Sequence, residues 1–492
     1  MNLLKKIPFF LFLLALFFCL HGSVENYGYM SATEVLWIGL IITVCISALF
    51  VVILLITKKI ILAALITFFI ALWYLFFGAI HDGVKSLEWL HFIYPYTAIL
   101  PLLIACNIAY IYVLKRYPSV QPKLFFYLNV LMIIYCLLDG YLVLNKQYTE
   151  KKDTSTSSII FDISKVKAKP NVYFLLFDCY AGYKSLQDSF AYKNDSMYNF
   201  LAQKSFTILP SFSNYNFTFF SMASILNMQY INDDYHDKIA VQKDMQKRIN
   251  EIRNGEVFSI FSAMQYSIEN YSIFNIKNKR GISNNNTIVP MHYYLITHKI
   301  FHNRLILDLG YLLYKINYFS RKHIFEHDID NITAYNKTMA AIEKTTVSPK
   351  FVYAHFLMPH APYFKDSLGN YLPVSNFNIG SKTSYLSYLK YTNTIIQSIL
   401  TKITTTDPNA IVLLISDHGY NDKGAVRLLD TAQIAAERYS FNNICAIRFP
   451  DQHFDSVKAE ISNVNIFRYL FNSQFAQKIP YLKDSTVWVN HD

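Results

Sequence analysis

The sequence predicts a five-helix transmembrane part at the N-terminus, followed by an α/β domain whose mostly parallel sheet is sandwiched by helices. Two observations support this prediction. Apolar residues crowd into the first 145 of the 492 positions, in runs that short loops separate. Beyond residue 170, continuous apolar runs of strand length alternate with longer helical patterns, which is the order of elements in an α/β fold.

Five apolar runs form the predicted transmembrane domain, residues 1–145. Four of them are long enough to cross a hydrocarbon core, which takes about 20 helical residues. The first run is shorter and follows Lys5 and Lys6, so it also fits a signal peptide. Because no small-x-small cleavage site follows it, we interpret it as an uncleaved span. The runs cover residues 7–21, 35–57, 60–80, 92–114 and 124–144.

Basic residues beside the apolar runs predict the orientation. Basic loops stay on the cytoplasmic side of a membrane, and the three basic segments all fall on one side of the predicted spans. The N-terminus is therefore expected inside, and everything after residue 145 outside. The sequence predicts a multi-pass protein of the inner (cytoplasmic) membrane with a periplasmic C-terminal domain. The basic residues are Lys5, Lys6, Lys58, Lys59, Lys115, Arg116 and Lys123.

The charge balance narrows the class of partner. The net charge is +11, of which the first 145 residues contribute +3, from eight Lys or Arg and five Asp or Glu. A basic domain beside a bilayer suits anionic lipid head groups or phosphate substrates, although simple solubility explains it equally well. No stripe of basic and aromatic residues indicates nucleic acid. Asp139 lies near the outer end of span five, and we interpret it as solvated. The predicted spans contain no further charged residues that would form an ion path, which argues against a transporter.

The six cysteines do not predict a disulfide framework. Four of them lie in the apolar runs, where cysteine behaves as a small hydrophobic residue. Cys179 and Cys445 could pair only if the fold brought their Cα atoms within about 7 Å of each other. The sequence leaves that question open.

The predicted outer domain covers residues 171–492 and follows a polar linker at 146–170. Its apolar runs do not alternate with polar residues, which is typical of strands buried on both faces of a parallel sheet. The predicted strands cover 171–177, 350–357, 410–416 and 444–449, and the predicted helices lie near 191–203, 219–230, 237–252, 334–346, 383–402 and 464–473.

Polar side chains follow three of the predicted strands. Asp178 ends the first strand, His360 lies in the turn after the second, and residues 417–419 (Asp-His-Gly) follow the third. Ligands of such sheets gather beyond the carboxyl ends of the strands, so these side chains form a candidate metal cluster. A lone Asp at a strand end is more often a helix cap or turn residue. His355 lies inside the second strand, and we interpret it as structural.

These segments resemble the alkaline phosphatase/sulfatase superfamily, and in particular its membrane-bound enzymes of the lipoteichoic-acid synthase and phosphoethanolamine transferase type. Such enzymes also carry five spans before an outer catalytic domain, so the resemblance covers the whole chain in architecture and about residues 170–490 in motifs. It implies an alkaline-phosphatase-like fold. The segments that carry it are 171–178, 213–227 (the nucleophile segment), 359–362 (the middle histidine segment), 415–419 and 465–468.

The resemblance implies a ligand set and a nucleophile. Asp178, Asp417 and His418 would bind a metal ion, and Thr218 would be both the nucleophile and the fourth ligand. Three oxygens and one nitrogen suit one divalent ion, Zn²⁺ or Mn²⁺, and Mg²⁺ is also compatible. A threonine hydroxyl is a weak nucleophile until a metal activates it. His360 would hold a phosphate oxygen or protonate the leaving group.

Several alternatives and departures accompany this interpretation. Thr218 could instead be only a helix N-cap, and Ser221 is a rival hydroxyl. No Cys or Ser stands in the Cys-x-Pro-x-Arg context that a sulfatase converts to formylglycine, so sulfatase activity is not expected. No histidine in a suitable context follows His418, so a single firmly held metal is expected. Lys423 and Arg427 either bind an anion or, as we favour, lie on the surface.

The predicted function is therefore metal-dependent transfer of a phospho-group. The enzyme would move phosphoethanolamine or phosphoglycerol from a membrane phospholipid donor to an envelope glycan or lipid acceptor, through a phosphothreonine intermediate. One alternative is a phosphoester, phosphodiester or sulfate ester hydrolase of the same superfamily. A second is a catalytically silent envelope scaffold. The joint presence of Asp178, Thr218, Asp417 and His418 argues against the scaffold.

Overall fold

The structure is a computed structural model that describes residues 3–27, 32–152, 159–231, 239–277, 279–282, 294–313, 325–377, 381–421, 439–455 and 460–491. The helices are α1 (Phe9–Glu25), α2 (Ala32–Thr57), α3 (Ile60–Leu75), α4 (Phe77–Ser86), α5 (Tyr96–Arg116), α6 (Val120–Lys152), α7 (Tyr183–Phe190), α8 (Asp195–Gln203), α9 (Thr218–Asn227), α10 (Gln242–Arg253), α11 (Glu256–Ala263), α12 (Tyr294–Thr297), α13 (Phe301–Leu313), α14 (Glu326–Glu343), α15 (Lys382–Thr406) and α16 (Ile466–Gln474). The strands are β1 (Val172–Phe177), β2 (Thr207–Ile208), β3 (Ser211–Phe212), β4 (Ile239–Ala240), β5 (Ser267–Tyr271), β6 (Lys350–Phe356), β7 (Ile411–Ile415), β8 (Cys445–Arg448), β9 (Ile461–Ser462) and β10 (Asn490–His491).

By their contacts, the residues fall into two compact units. The first comprises Met1–Ser155 and Thr287–Ile324, and the second comprises Thr156–Asn286 and Phe325–Asp492. The predicted boundaries at residues 145 and 170 place all of 171–492 in one outer domain. In the structure, α12 and α13 have their contacts in the unit that holds the apolar helices.

The first unit contains the apolar helices that the sequence predicts. Helices α2, α5 and α6 are each long and apolar enough to cross a membrane, and α3 with α4 counts as a fourth span if the bent pair is taken together. The axis turns by 59° between α3 and α4. Helix α1 is apolar but has only 17 residues. The part of the chain that the structure describes thus supports membrane insertion, and the five-span topology stays a prediction.

A polar network joins α1 to α6 within this unit. The Asn129 side chain donates to the Leu4 carbonyl at 2.7 Å and accepts from the Phe10 amide at 2.8 Å. Asp139 is only 8% exposed, and its carboxylate lies 3.1 Å from Nδ1 of His21. The prediction that Asp139 is solvated is therefore wrong, because His21 of α1 provides its partner.

Within the first unit, ion pairs join the segment around α12 and α13 to helices α1 and α4. Nζ of Lys299 lies 2.5 Å from a carboxylate oxygen of Glu25, and Nη2 of Arg304 lies 2.6 Å from Oδ1 of Asp82. The Gly78 amide donates to the Lys299 carbonyl at 2.7 Å. A Cβ atom at Gly78 would stand 2.8 Å from Cα of Lys299, so this close approach requires glycine.

The second unit is built on a six-stranded sheet with the order β2-β8-β7-β1-β6-β5. Strand β1 is parallel to β6 and β7, and β5 is parallel to β6, whereas β8 is antiparallel to both β7 and β2. Strands β1, β6 and β7 are buried along their whole length. The predicted mostly parallel sheet is confirmed.

Helices cover both faces of this sheet. On one face, Leu175 of β1 packs in a core with Leu389 and Ile396 of α15. On the other face, the rings of Phe174 and Phe467 of α16 meet edge to face, with the ring centroids 5.0 Å apart. Successive residues of β1 thus enter opposite cores, which explains why its sequence is continuously apolar.

The strand register positions the functional residues. Phe177 pairs with Phe356 of β6, and Leu176 pairs with Ile415 of β7. Because the three strands are parallel, their carboxyl ends meet at one edge of the sheet. Asp178, the turn after β6 and Asp417 therefore lie side by side.

Candidate metal centre

Four side chains that the sequence singled out converge at this edge. Asp178, Asp417 and His418 are buried, and each offers one ligand atom within 4.8 Å of the others. Nε2 of His418 lies 3.7 Å from Oδ1 of Asp178 and 3.5 Å from Oδ2 of Asp417. Oγ1 of Thr218 lies 3.4 Å from the same nitrogen. The structure therefore brings the predicted ligand set together.

The unpaired atoms of this cluster fit a bound cation. Oδ1 of Asp178 and Oδ2 of Asp417 are buried and have no hydrogen-bond partner among the described residues. An unsatisfied buried polar group costs about 1–3 kcal/mol, and more if it is charged. Nδ1 of His418 lies 2.8 Å from the Gly419 carbonyl, so Nδ1 carries a proton and Nε2 is the ring nitrogen that faces the carboxylates. Two carboxylate oxygens, one imidazole nitrogen and a hydroxyl suit Zn²⁺ or Mn²⁺.

The backbone beyond β1 and β7 is shaped to hold this cluster. Cys179 has a φ of 64°, an unfavourable left-handed conformation for a non-glycine residue. This conformation lets the Cys179 amide donate to Oδ1 of Asp417 at 3.2 Å. Gly419 packs so closely that a Cβ atom would stand 2.3 Å from the Asn442 carbonyl oxygen. The Asp-His-Gly segment therefore needs its glycine for packing against residues 439–442.

Thr218 stands at the start of α9 with its hydroxyl turned towards the cluster. The N-cap residue is Phe217, and Thr218 is the first helical residue, so the alternative that Thr218 is only an N-cap is wrong. The rival hydroxyl of Ser221 is 1% exposed and donates to the Asp417 carbonyl at 2.6 Å. Ser221 thus supports the loop that carries Asp417, and Thr218 is the hydroxyl beside His418.

A buried arginine fixes the far end of α9. The helix ends at Asn227, and the next residue, Met228, has a left-handed φ of 54°. Nε and Nη2 of Arg468 donate to the Met228 carbonyl at 3.0 and 2.6 Å, and Nη1 donates to the Pro480 carbonyl at 2.5 Å. Arg468 belongs to the late segment on which the family resemblance partly rests, and its structural task is to cap the helix that begins at Thr218.

Replacing Arg468 with lysine should therefore destabilise the protein without removing the metal. An ammonium group cannot reproduce the forked donation to two carbonyls, so we expect a loss of about 1–3 kcal/mol. Thermal unfolding monitored by circular dichroism measures the loss, and metal content measures the site. Lys478→Arg, at an exposed position in the same region, is the control and should leave both unchanged. An unchanged unfolding temperature for Arg468→Lys would contradict this role.

Charges in the cluster are strongly coupled. Burial alone would raise the pKa of Asp178, but His360, His355 and His418 hold this pKa well below its usual range. Burial and the neighbouring Asp178 raise the pKa of Asp417. Burial opposes a charge on His418, yet Asp417, Cys179 and Asp178 raise its pKa well above the ordinary value. The neighbouring carboxylates therefore favour the protonated form of His418.

Three further histidines surround the cluster. Nε2 of His355 lies 3.8 Å from Oδ2 of Asp178, so this strand residue, interpreted from sequence as structural, faces the site. Nδ1 of His360 lies 2.5 Å from the Ala361 carbonyl. The ring of His327, in the first turn of α14, has its centroid 6.1 Å from that of His360. The sequence analysis missed His327, because no local motif marks it.

The cysteines and basic residues considered in the sequence analysis add no metal ligand among the residues that the structure describes. All six cysteines are free, so Cys179 and Cys445 form no disulfide. Burial raises the pKa of the Cys179 thiol, which makes it a poor nucleophile. Lys423 and Arg427 lie outside the described residues.

A buried carboxylate–imidazole cluster at the carboxyl edge of a mostly parallel sheet defines an enzyme of the hydrolase or transferase type with a site for a divalent metal. A family model described as Sulfatase matches residues 181–472, more than half of the chain. The chain belongs to the sulfatase family, and the predicted membership of the alkaline phosphatase/sulfatase superfamily is confirmed. No curated protein sequence matches the chain.

Several solved structures are similar to about two thirds of the chain. The C-terminal periplasmic domain of EcEptC from Escherichia coli has a TM-score of 0.40 at 10% identity, over 66% of this chain and 91% of that one. The putative sulfatase yidJ from Bacteroides fragilis has a TM-score of 0.40 at 13% identity, over 67% and 78%. The phosphonate monoester hydrolase SpPMH from Silicibacter pomeroyi has a TM-score of 0.37 at 13% identity, over 65% and 76%.

Proposed function

We propose that this protein transfers a phospho-group, phosphoethanolamine or phosphoglycerol, from a membrane phospholipid to an envelope glycan or lipid. The observation that carries the proposal is the meeting of the Thr218 hydroxyl with the unpaired carboxylate oxygens of Asp178 and Asp417 and with Nε2 of His418. The apolar helices would hold the enzyme in the inner membrane, with the catalytic unit on the periplasmic side near its donor.

The proposed reaction has two steps. The Thr218 oxygen attacks the phosphorus of the donor, and the bond from phosphorus to the diacylglycerol oxygen breaks. The acceptor hydroxyl then attacks the phosphothreonine, and the bond from phosphorus to Oγ1 of Thr218 breaks. Thr218 opens a ten-residue helix, whose N-terminal amides favour an anion at that point. His360, at the edge of the same site, would hold a phosphoryl oxygen or protonate the leaving group.

One divalent ion, Zn²⁺ or Mn²⁺, would be held by Asp178, Asp417, His418 and Thr218. When bound, it would supply a positive charge that activates the threonine hydroxyl and neutralises charge on the phosphoryl group. The two carboxylates would meet this charge, and the raised pKa of His418 favours a proton on its ring beside them. The metal would replace the proton on His418 and pair with both carboxylates.

The test is head-group transfer from defined lipids. Purified full-length protein would be given phosphatidylethanolamine or phosphatidylglycerol with a labelled head group, together with Zn²⁺ or Mn²⁺. We expect diacylglycerol release from one of the two lipids, and this release names the donor. Transfer of the label to a glycan or lipid acceptor distinguishes the transferase from a hydrolase, which would pass it to water.

Other outcomes change the assignment. Release of the label only as the free phospho-alcohol would favour a phosphodiesterase. No release from either lipid, with the metal bound, would contradict a lipid donor and favour a soluble phosphoester or a silent scaffold.

A further inference from the structure

The connection between α3 and α5 contains a short segment whose aromatic rings are exposed. Trp89 is 73% exposed and Phe92 is 74% exposed. Both belong to a 3-10 helix, Glu88–Ile93, in which side chains three positions apart are eclipsed, so the two rings lie on one face. Leu87, directly before this helix, is exposed as well. We call residues 87–93 the aromatic segment.

The aromatic segment lies at one end of two apolar helices. Helix α3 has 16 residues, a length of about 24 Å, and the chain then turns by 59° into α4. Because α4 carries His81, Asp82 and Lys85, which are costly inside a bilayer, it belongs outside the hydrocarbon core. The aromatic segment follows, and α5 begins at Tyr96. The segment is therefore continuous with α3 through α4 and with α5 directly, at the end that the basic residues place outside.

Contacts behind the aromatic segment hold it in place. The buried ring of His81 stacks on Tyr94, with the centroids 4.4 Å apart, and on Phe77, at 5.6 Å. Nε2 of the same histidine lies 3.0 Å from the Tyr94 carbonyl oxygen. The Tyr96 hydroxyl donates to Asp308 of α13 at 2.7 Å. The backbone on the C-terminal side of the segment is thus anchored to α4 and α13, and the exposure of its rings is a feature of the fold.

The chemistry of this surface fits a lipid head-group region. Tryptophan is enriched at membrane interfaces, because its ring is apolar and its N–H can bond to water or to a polar head group. Phenylalanine and leucine beside it supply apolar area for shallow insertion. Lys85, whose Nζ lies 5.8 Å from the centre of the Tyr94 ring, adds a positive charge that suits lipid phosphates. The partner indicated by these groups is the bilayer that α3 and α5 enter.

We propose that the aromatic segment inserts into the head-group region of the outer leaflet. Trp89 and Phe92 would lie between the head groups and the upper parts of the acyl chains, and Lys85 would reach the phosphates. The segment would thereby fix the depth of the first unit in the membrane, independently of the spans themselves. This inference concerns the first unit and does not depend on the proposed reaction.

The test locates Trp89 with lipid-borne quenchers. Full-length protein would be reconstituted in phosphatidylcholine vesicles whose acyl chains carry bromine in either the upper or the lower half. The emission that Trp89→Phe removes in unbrominated vesicles belongs to Trp89. We expect bromine in the upper half to quench most of this emission, bromine in the lower half to quench less, and iodide in the water to quench little. Combining Trp89→Phe with Phe92→Trp moves the reporter along the same face and should restore the quenched emission.

Two matched substitutions calibrate the measurement. Trp37→Phe, at an exposed position of α2, removes a second ring that is expected to face lipid, and its emission should also be quenched by bromine. Trp488→Phe reports on the second unit, and its emission should be insensitive to brominated lipid. Circular dichroism should show the same helix content and unfolding temperature for all variants.

Two results would overturn the inference. Strong quenching of Trp89 by iodide, with none by brominated lipid, would place the aromatic segment in water. Protection from both quenchers would show that protein covers it, such as a second copy of this chain. Loss of phospho-group transfer with the expected quenching intact would instead contradict the proposed function and leave the lipid contact standing.

Discussion

Thr218→Ala should abolish transfer, with turnover falling by about 10³-fold or more, as when an enzyme loses its nucleophile. The residual carboxylates and imidazole could still bind metal, but no group remains to form the covalent intermediate. Diacylglycerol release from the identified donor measures the loss, and mass spectrometry of the wild-type protein should locate the phospho-group on Thr218. Thr218→Ser should retain a measurable part of both signals.

Two comparisons sharpen this experiment. Thr406→Ala makes the same chemical change at an exposed helix end and should leave turnover unchanged. Ser221→Ala should lower stability, because the hydroxyl that supports the Asp417 carbonyl is lost, yet it should keep covalent labelling. Label on Ser221, or normal turnover by Thr218→Ala, would show that the nucleophile is assigned to the wrong residue.

Asp417→Asn should abolish metal binding and, at the same time, stabilise the metal-free protein. Burial and, after it, repulsion from Asp178 raise the pKa of Asp417, and the amide removes this charge without changing the shape. Metal saturation at 100 times Kd should stabilise the wild type by about 2.7 kcal/mol. We expect this gain to vanish in the variant, whose unfolding temperature in a chelator should exceed that of the wild type.

The affinity for the metal should depend on pH in a definite direction. The metal must displace the proton on His418, whose pKa is raised, so metal affinity should increase with pH. A charged His418 stabilises the metal-free protein at low pH, and this contribution is lost as the pH rises through its raised pKa. Both effects make the metal-induced rise in unfolding temperature larger at about pH 8 than at about pH 6.

Differential scanning fluorimetry with and without Zn²⁺ or Mn²⁺, supported by metal analysis of the purified chain, checks both expectations. Asp195→Asn, an exposed position at the start of α8, is the matched control and should behave as wild type. A full complement of metal in Asp417→Asn would contradict the ligand set.

The strands that build the site could be predicted closely from sequence. The runs at 171–177, 350–357, 410–416 and 444–449 correspond to β1, β6, β7 and β8. Their continuous apolar character reflects burial on both faces of a sheet, which is a local signal. The sequence did not predict strand β5 (Ser267–Tyr271), because this strand is polar. It lies at the edge of the sheet, where a strand is less buried and needs no continuous apolar run.

The candidate ligands could likewise be named from sequence, because each follows a recognisable strand or stands in a segment shared with a known superfamily. These side chains come together only because β1, β6 and β7 are parallel and in a particular register. The apolar pattern of the strands is compatible with this register but does not specify it. From the sequence, Ser221 remains a rival to Thr218 as the nucleophile. Only the packing of α9 against the loop after β7 turns one hydroxyl to His418 and the other to a backbone carbonyl.

The sequence by itself predicted the apolar N-terminal part and the α/β class of the remainder, since both follow from local hydrophobicity. Its resemblance to a known superfamily added Asp178, Thr218, Asp417 and His418 as candidate site residues. Tertiary structure alone decided the break between α3 and α4, the pairing of Asp139 with His21, the attachment of Lys299 and Arg304 to the first unit, and the approach of His327 to His360. The physical reason is common to these features. Each depends on contacts between residues distant in sequence or on packing around a helix end, and no periodicity within a short stretch of chain encodes such contacts.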